Sequence, residues 1–331
     1  MPLNDQPRAA DRGTATEGAG PDISVVICTL RRRTDLEKVL LSCMALADLD
    51  RYAVEIVVVD NSPEAEAKAF VAQYSGCGNV AVRYVHEPRL SIAYARNAGI
   101  AAAGSDLVAF IDDDMRLSTF WLRSVMRHMG NGGPNALICA ITPLPEQSGQ
   151  VTDPRSLWPY RRDLGLPEGH HVRIKPSGHI PGAGAGNSVL RRSACMAAAL
   201  QFDPAFGNGG EDTDFFMRLG RHVTNIAWSV ESLAYEIVSP GRMSPEFLSD
   251  RALRGSRNLA RALIKNSRHP LLAKSRLLAI ACVQGIWRAS HYCILLLARP
   301  ADARYAKVSV AAAFGKLPWR LAHGSWWAMT R

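Results

Sequence analysis

What this 331-residue chain lacks narrows its class before any motif is read. It has no CxxC pair. The seven cysteines, Cys28, Cys43, Cys77, Cys139, Cys195, Cys282 and Cys293, are scattered, odd in number and mostly inside apolar runs. That usage fits reduced core thiols in a cytosolic compartment and offers no zinc site. No glycine follows the first apolar run: "CTLRRRTD" lacks the Gly-rich turn that brings a backbone up to a dinucleotide. Zinc-finger spacing, an RNP-like aromatic strand and a basic stripe are missing from the motif-bearing part, so no nucleic-acid partner is expected. An aspartate-type phosphatase wants its nucleophile directly after the first strand, where Cys28 and Thr29 stand. Residues 1–20 have no apolar centre, which argues against a secretory signal, and they read as a disordered leader.

What is present is a globular composition, 47% apolar and 21% charged, in a length that suits one large α/β domain with an appendage. "ISVVICT" is a short continuous apolar run, as in a strand buried on both faces. "TDLEKVLLSCMAL" follows with helical spacing, Thr34 placed to cap and Glu37 to close a capping box. "AVEIVVVD" is a second strand, and "SPEAEAKAFVAQY" a helix with Ser62 as cap and Pro63 at its first position. "VAVRYVH" and "DLVAFIDDD" are further strands, with the helix "SIAYARNAGIAAA" between them. Strand and helix alternate four times in about 110 residues, which predicts a doubly wound α/β sheet. In such sheets ligands bind beyond the carboxyl ends of the strands, where Thr29, Asp60 and Asp112 to Asp114 fall. A strand is expected at "NALICAI" and two short ones at "HVTNIAW" and "SLAYEIV". Residues 142–180 lose periodicity, as a functional loop or lid does.

The last ninety residues differ. The net charge of +9 is concentrated at 242–276, where nine Lys or Arg face only Glu246 and Asp250. Residues 275–298 are strongly apolar but contain Gln284, Arg288 and His291, and a mid-segment Arg is expensive in a spanning helix. Phe314, Trp319, Trp326 and Trp327 sit beside Lys316 and Arg320, a pairing that suits a headgroup interface. The expectation is a basic, aromatic helical tail, residues 243–331, lying on a membrane surface; a solvated cap or an oligomer interface would use the same residues.

The chemistry centres on "LVAFIDDDM". Three adjacent carboxylates repel, so a positive group among them or open solvent is required. If the strand's alternation continues, Asp112 and Asp114 project together and Asp113 turns aside. Two such carboxylates can share a divalent cation, Mg²⁺ or Mn²⁺, once phosphate and water complete its shell; a solvent-exposed acidic turn is the plainer alternative.

Four motifs in order, "SVVICTLRR", "EIVVVDNS", "ARNAGIAAAGSDLVAFIDDDM" and "GNGGEDTDFFMRLG", resemble the inverting nucleotide-sugar glycosyltransferases of family 2, over residues 23–242. The resemblance implies a GT-A fold, a Rossmann-like, mostly parallel sheet with a C-terminal helical tail. It implies that Thr29, Asp60, Arg96, Asp112 and Asp113 bind the donor, Asp60 at the base and Asp112 at the ribose. Asp114 with Asp112 would hold Mn²⁺ or Mg²⁺. Asp212 matches the catalytic base and Glu211 a residue positioning the acceptor; ordinary helix capping by acids is their alternative. Gly186 and Asn187, with Gly210, match the acceptor side. The donor is expected to be a nucleotide sugar, a UDP-sugar first, and the acceptor a glycan or lipid-linked glycan. The enzyme would make polysaccharide while peripheral at the inner face of the plasma membrane. No QxxRW pattern follows the base, which argues for transfer of one sugar at a time. A non-catalytic sugar- or nucleotide-binding scaffold on the same fold is the competing reading.

Overall fold

The computed structural model describes residues 20–76, 80–146, 153–207 and 209–317. The leader up to residue 19, Cys77, and the aromatic cluster of Trp319, Trp326 and Trp327 lie outside them.

The strands are β1 (Ile23–Thr29), β2 (Val54–Asp60), β3 (Val80–His86), β4 (Leu107–Asp112), β5 (Met115–Leu117), β6 (Ala136–Pro145), β7 (Ser188–Arg191) and β8 (Ile226–Val238). The helices are α1 (Arg33–Met44), α2 (Lys68–Val71), α3 (Ile92–Ala102), α4 (Trp121–Met129), α5 (Arg192–Ala197), α6 (Glu211–His222), α7 (Pro245–Lys265), α8 (Pro270–Ala298) and α9 (Pro300–Phe314). One eight-stranded sheet runs in the order β3-β2-β1-β4-β7-β6-β8-β5. The first four strands are parallel, β7 is antiparallel to both its neighbours, β6 and β8 are parallel, and β5 closes the edge antiparallel to β8.

The apolar runs explain the layers. β1 and β2 are almost wholly apolar because both faces are covered. One face packs against α1, α2 and α4 through Leu36, Leu40, Phe70 and Trp121. The other packs against α3 and α6 through Ala93, Ala95, Phe215 and Phe216. Register puts Thr29 beside Asp60, and Cys28 beside Asp112, so the polar strand ends share one rim.

Several local expectations are corrected. α1 begins at Arg33 with no side-chain cap, so Thr34 lies inside its first turn. The helix expected from Ser62 is only α2 and a 3-10 turn, because Ala65 adopts φ 57° and interrupts it. The two short strands near the end of the domain are the single strand β8, whose ladder with β6 is irregular at Cys139/Ile141. Residues 142–180 are partly ordered by pairing: β6 runs on to Pro145, a 3-10 segment spans Pro154–Tyr160, and Arg162 bridges Ile141.

The tail is a helical unit docked on the sheet domain. Asp214 of α6, fully buried, accepts hydrogen bonds from Lys265 Nζ (2.9 Å) and Asn266 Nδ2 (2.8 Å) at the end of α7. Arg155 pairs with Asp302 of α9 at 2.8 Å and stacks on Tyr305. By length and composition α8 is long and apolar enough to cross a membrane. Its polar interruptions turn toward α9: Arg288 donates to the Ser309 carbonyl at 2.8 Å, and Lys316 donates to Gln284.

Close contact between α3 and the sheet depends on Gly99, where a Cβ would stand 2.3 Å from Val26 Cγ1. Gly99→Ala is therefore expected to lower stability by about 1–2 kcal/mol despite its better helix propensity, read as a shift of the denaturant midpoint; an unchanged midpoint would mean the packing yields freely.

Candidate active site

A cleft of about 1000 Å³ opens over the rim. Its lining includes Thr29, Arg96, Asp112, Asp113, Asp114, Gly186 and Asp212, which come from five different parts of the chain. The charge problem posed by the three aspartates is solved by arginines. Arg96 of α3 approaches Asp112 Oδ1 at 3.3 Å. Arg32, directly after β1, binds Asp113 Oδ1 at 2.6 Å and reaches Asp114 Oδ2 at 3.6 Å. Arg242 binds Asp114 Oδ2 at 2.8 Å and Glu236 Oε1 at 2.6 Å.

Asp113 does not turn aside. The strand ends at Asp112, Asp113 and Asp114 form a turn, and alternation stops with the strand. All three carboxylates consequently line the cleft, with Thr29 donating its hydroxyl to Asp113 at 3.0 Å. Burial pushes the Asp113 carboxyl up to about 7 against the opposing pull of Arg32. Asp112 is 41% exposed toward the cleft and closed in by protein elsewhere; desolvation raises its pKa and Arg96 opposes the rise.

Glu211 and Asp212 open α6, where the helix dipole favours acids. Glu211 is buried, ion-paired to Arg96 through one oxygen, while Oε2 is buried without a partner. Burial raises its pKa, against Arg96. Asp212 is half-buried; its Oδ1 takes the Thr213 N–H at 2.6 Å, and the residue lines the cleft. Two glycines make room for the facing carboxylates. A Cβ on Gly186 would lie 2.3 Å from Asp112 Oδ2, and one on Gly184 would lie 3.2 Å from Asp212 Oδ2. Residues two apart are at most about 7 Å apart along a chain, so both carboxylates border one short stretch of backbone.

Three expected site residues are used elsewhere. Asp60 is buried, and its oxygens accept from Ser62 N (2.9 Å), Ser62 Oγ (2.7 Å), Ala67 N (2.8 Å) and Tyr84 OH (3.1 Å). It fixes the turn after β2, and the neighbouring Asn61 lines the cleft in its place. Asn187 is fully buried: it accepts from the Trp121 indole at 2.8 Å and donates to the carbonyls of Ala140 (2.7 Å) and Ser232 (2.9 Å). Gly210, at φ 90°, starts α6 and packs on Asn258 of α7, whose Cβ would be 2.6 Å from an added Cβ. Its lack of a side chain serves the docking of the tail.

Conversely, Arg32, Arg162 and Glu236 were not singled out from the sequence. Arg162 donates to the carbonyls of Gly186 (2.6 Å) and Asn187 (3.1 Å), holding the strand of the two glycines against the cleft. It sits in the aperiodic stretch, where no pattern marks it. Glu236, an acid in the alternation of β8, is buried and pushed up to about 7 by that burial.

The donor set for a cation is hard carboxylate oxygen from Asp112 and Asp114. Among the described residues no group of three or more His, Cys, Asp or Glu is arranged around a metal position. Two carboxylates fit Mg²⁺ or Mn²⁺ when a bound diphosphate and water supply the remaining ligands.

The family model described as glycosyl transferase family 2 matches residues 24–197. The chain is 30% identical over 246 residues to the succinoglycan biosynthesis protein ExoM of Rhizobium meliloti (strain 1021), covering 74% of this chain and 76% of ExoM. Among solved structures it is similar to the mannosyltransferase PcManGT from Pyrobaculum calidifontis in complex with GDP-Man and Mn2+, with a TM-score of 0.56 at 17% identity, covering 90% and 88% of the two chains. It is likewise similar to S. aureus TarS 1-349 in complex with UDP-GlcNAc, with a TM-score of 0.52 at 14% identity and 89% of each chain covered. The fold is GT-A.

Asn187→Ala would leave a buried indole N–H and two buried carbonyls unpaired, and is expected to cost about 3 kcal/mol or more of stability, measured by denaturant unfolding. Asp113 and Glu236 hold their protons more tightly folded than unfolded. The stability they contribute is therefore full below their ordinary values of 3.8 and 4.5, and is lost as pH rises toward about 7. The ligand-free protein is expected to be on the order of 5 kcal/mol more stable near pH 5 than pH 8 on this account, and Asp113→Asn with Glu236→Gln should flatten that slope.

Proposed function

This chain belongs to glycosyl transferase family 2, and we propose that it transfers one sugar at a time, with inversion, from a nucleotide sugar to a hydroxyl of a lipid-linked glycan. The observation that carries the reading is the meeting at Gly184 and Gly186, where the Asp212 and Asp112 carboxylates border one short backbone stretch and line one cleft. A single in-line displacement needs a base for the acceptor and groups that hold the diphosphate around one anomeric carbon, and a cleft lined by both can supply them.

Asp212 Oδ2 takes the proton of the acceptor hydroxyl as its oxygen attacks the anomeric carbon, and the bond from that carbon to the diphosphate breaks. Thr213 pins Oδ1, so Oδ2 is the oxygen left to act. Geometry governs such a base, which must come within about 3 Å of the proton donor or act through one water. Glu211 and Arg96 brace the floor behind it; Glu211 is buried and outside the cleft lining, so its part in placing the acceptor is through that floor. Asn61, Thr29 and Asp113 border the nucleotide, with Asp112 toward the ribose. Asp112 and Asp114 would hold Mn²⁺ or Mg²⁺, which when bound neutralises charge on the departing nucleoside diphosphate.

A UDP-sugar is the first candidate donor, in keeping with the UDP-GlcNAc bound by TarS; GDP-Man in PcManGT keeps a GDP-sugar in the screen. A role in polysaccharide synthesis is supported by the likeness to the succinoglycan protein ExoM. The tail would seat the enzyme peripherally on the cytoplasmic face of the membrane. That placement is supported by the exposed apolar residues of α8, including Ile286 and Leu297, and by the hydrogen bonds that engage its Arg288 and Gln284 with Ser309 and Lys316.

Screening nucleotide sugars with Mn²⁺ present and then chelated is expected to reveal one donor whose turnover falls on chelation. Asp212→Asn is expected to lower transfer at least 100-fold with nucleotide binding nearly unchanged. Retained transfer would remove Asp212 from its role, and no turnover together with no metal-dependent nucleotide binding would favour a scaffold.

A further inference from the structure

A second cavity of about 1010 Å³ lies where the C-terminal end of α6 meets the corner between α7 and α8. It shares no lining residue with the cleft. Arg221 in its wall is nine positions beyond Asp212 on α6, about 14 Å away at 1.5 Å per residue. Lys175, Arg221, Arg268 and Arg276 line it, and no Asp or Glu does. Arg221 is oriented by donating to the Ser177 carbonyl at 3.2 Å and to that of Asn266. Lys175, Arg268 and Arg276 are exposed and make no ion pair among the described residues. An anion entering a cavity lined by four cations and no carboxylate meets only attraction from its charged groups.

Apolar residues share the wall, Leu259, Leu263, Leu277 and Ile280 among them. Along α8 the wall continues as one helical stripe: Leu272, Arg276 and Ile280 follow at i+4 spacing, and Val283 and Trp287 extend the same face as far as Ser290 and His291. Val283 is 69% and Trp287 75% exposed. An exposed apolar track leading out of a cavity lined by cations has the chemistry of a headgroup site with a chain groove.

We propose that this cavity binds the phosphate of an anionic membrane phospholipid, with an acyl chain laid along the α8 stripe. The inference deepens the membrane seating proposed above and is independent of the transfer chemistry. The location at the opposite end of α6 from Asp212 assigns the site to the bilayer lipid in preference to the acceptor undergoing reaction.

The test is flotation of the full-length chain with phosphatidylcholine vesicles and with equimolar phosphatidylcholine and phosphatidylglycerol vesicles. Binding is expected only to the anionic vesicles. The triple variant Lys175→Gln, Arg268→Gln, Arg276→Gln removes cations without hydrogen bonds of their own. At about fivefold per cation near an anionic surface, it should weaken binding roughly a hundredfold. A control triple on the sheet domain, Lys38→Gln, Arg51→Gln, Lys68→Gln, should bind as the parent does. Ile280→Asp, which leaves the cations in place, should also weaken binding by putting a carboxylate on the apolar wall, and it serves if the triple fails to fold. Equal binding to neutral vesicles, equal loss in both triples, or parental binding by the triple and by Ile280→Asp would overturn the proposal. So would unchanged vesicle binding with reduced transfer to a lipid-linked acceptor, which would give the cavity to the acceptor's phosphate. Lipid-free dimers dissolved by Trp287→Glu would give the stripe to a second copy.

Discussion

The rim of the sheet depends on one electrostatic arrangement: three consecutive carboxylates, each met by a different arginine. Arg96, Arg32 and Arg242 come from α3, from the loop after β1, and from the segment after β8. Without them Asp112 to Asp114 would repel in a partly desolvated site, and the chain would have to protonate or rearrange there. The cost of bringing distant arginines together is met by the doubly wound topology, which already delivers the ends of β1 and β4 to neighbouring positions.

The same residues join the sheet domain to the tail. Arg242 leads from β8 toward α7, and its guanidinium stacks on Tyr160, which Arg251 of α7 covers as well. Asp214, one turn from the opening of α6, is committed to Lys265 and Asn266. Gly210 leaves space for Asn258. The helix that presents Asp212 is thus fixed at its start by the tail that carries the exposed apolar residues of α8, so one packing arrangement sets the orientation of the cleft relative to that tail.

The burial of polar groups separates residues that build the site from residues that face it. Asn187 and Asp60 carry the polar groups expected at a ligand, yet every strong partner they have is internal. Their work is to shape the two loops whose backbones border the cleft, as does Arg162 from the aperiodic segment. Gly186 contributes by lacking a side chain where Asp112 needs the space.

The sequence by itself determined the strands β1 to β4, the helix α3 between β3 and β4, and the gathering of Thr29 and Asp112 to Asp114 at one rim. These follow from local pattern: continuous apolar runs alternating with helical stretches. The motifs also carried the family. Only the tertiary structure decided which carboxylates meet which arginines, that Asp113 shares the cleft, that Asp60 and Asn187 turn inward, and that Arg288 is spent on Ser309. Each of those outcomes joins residues far apart in the chain, and side-chain direction at a strand end or loop is fixed by the partner that satisfies it, which no local periodicity records.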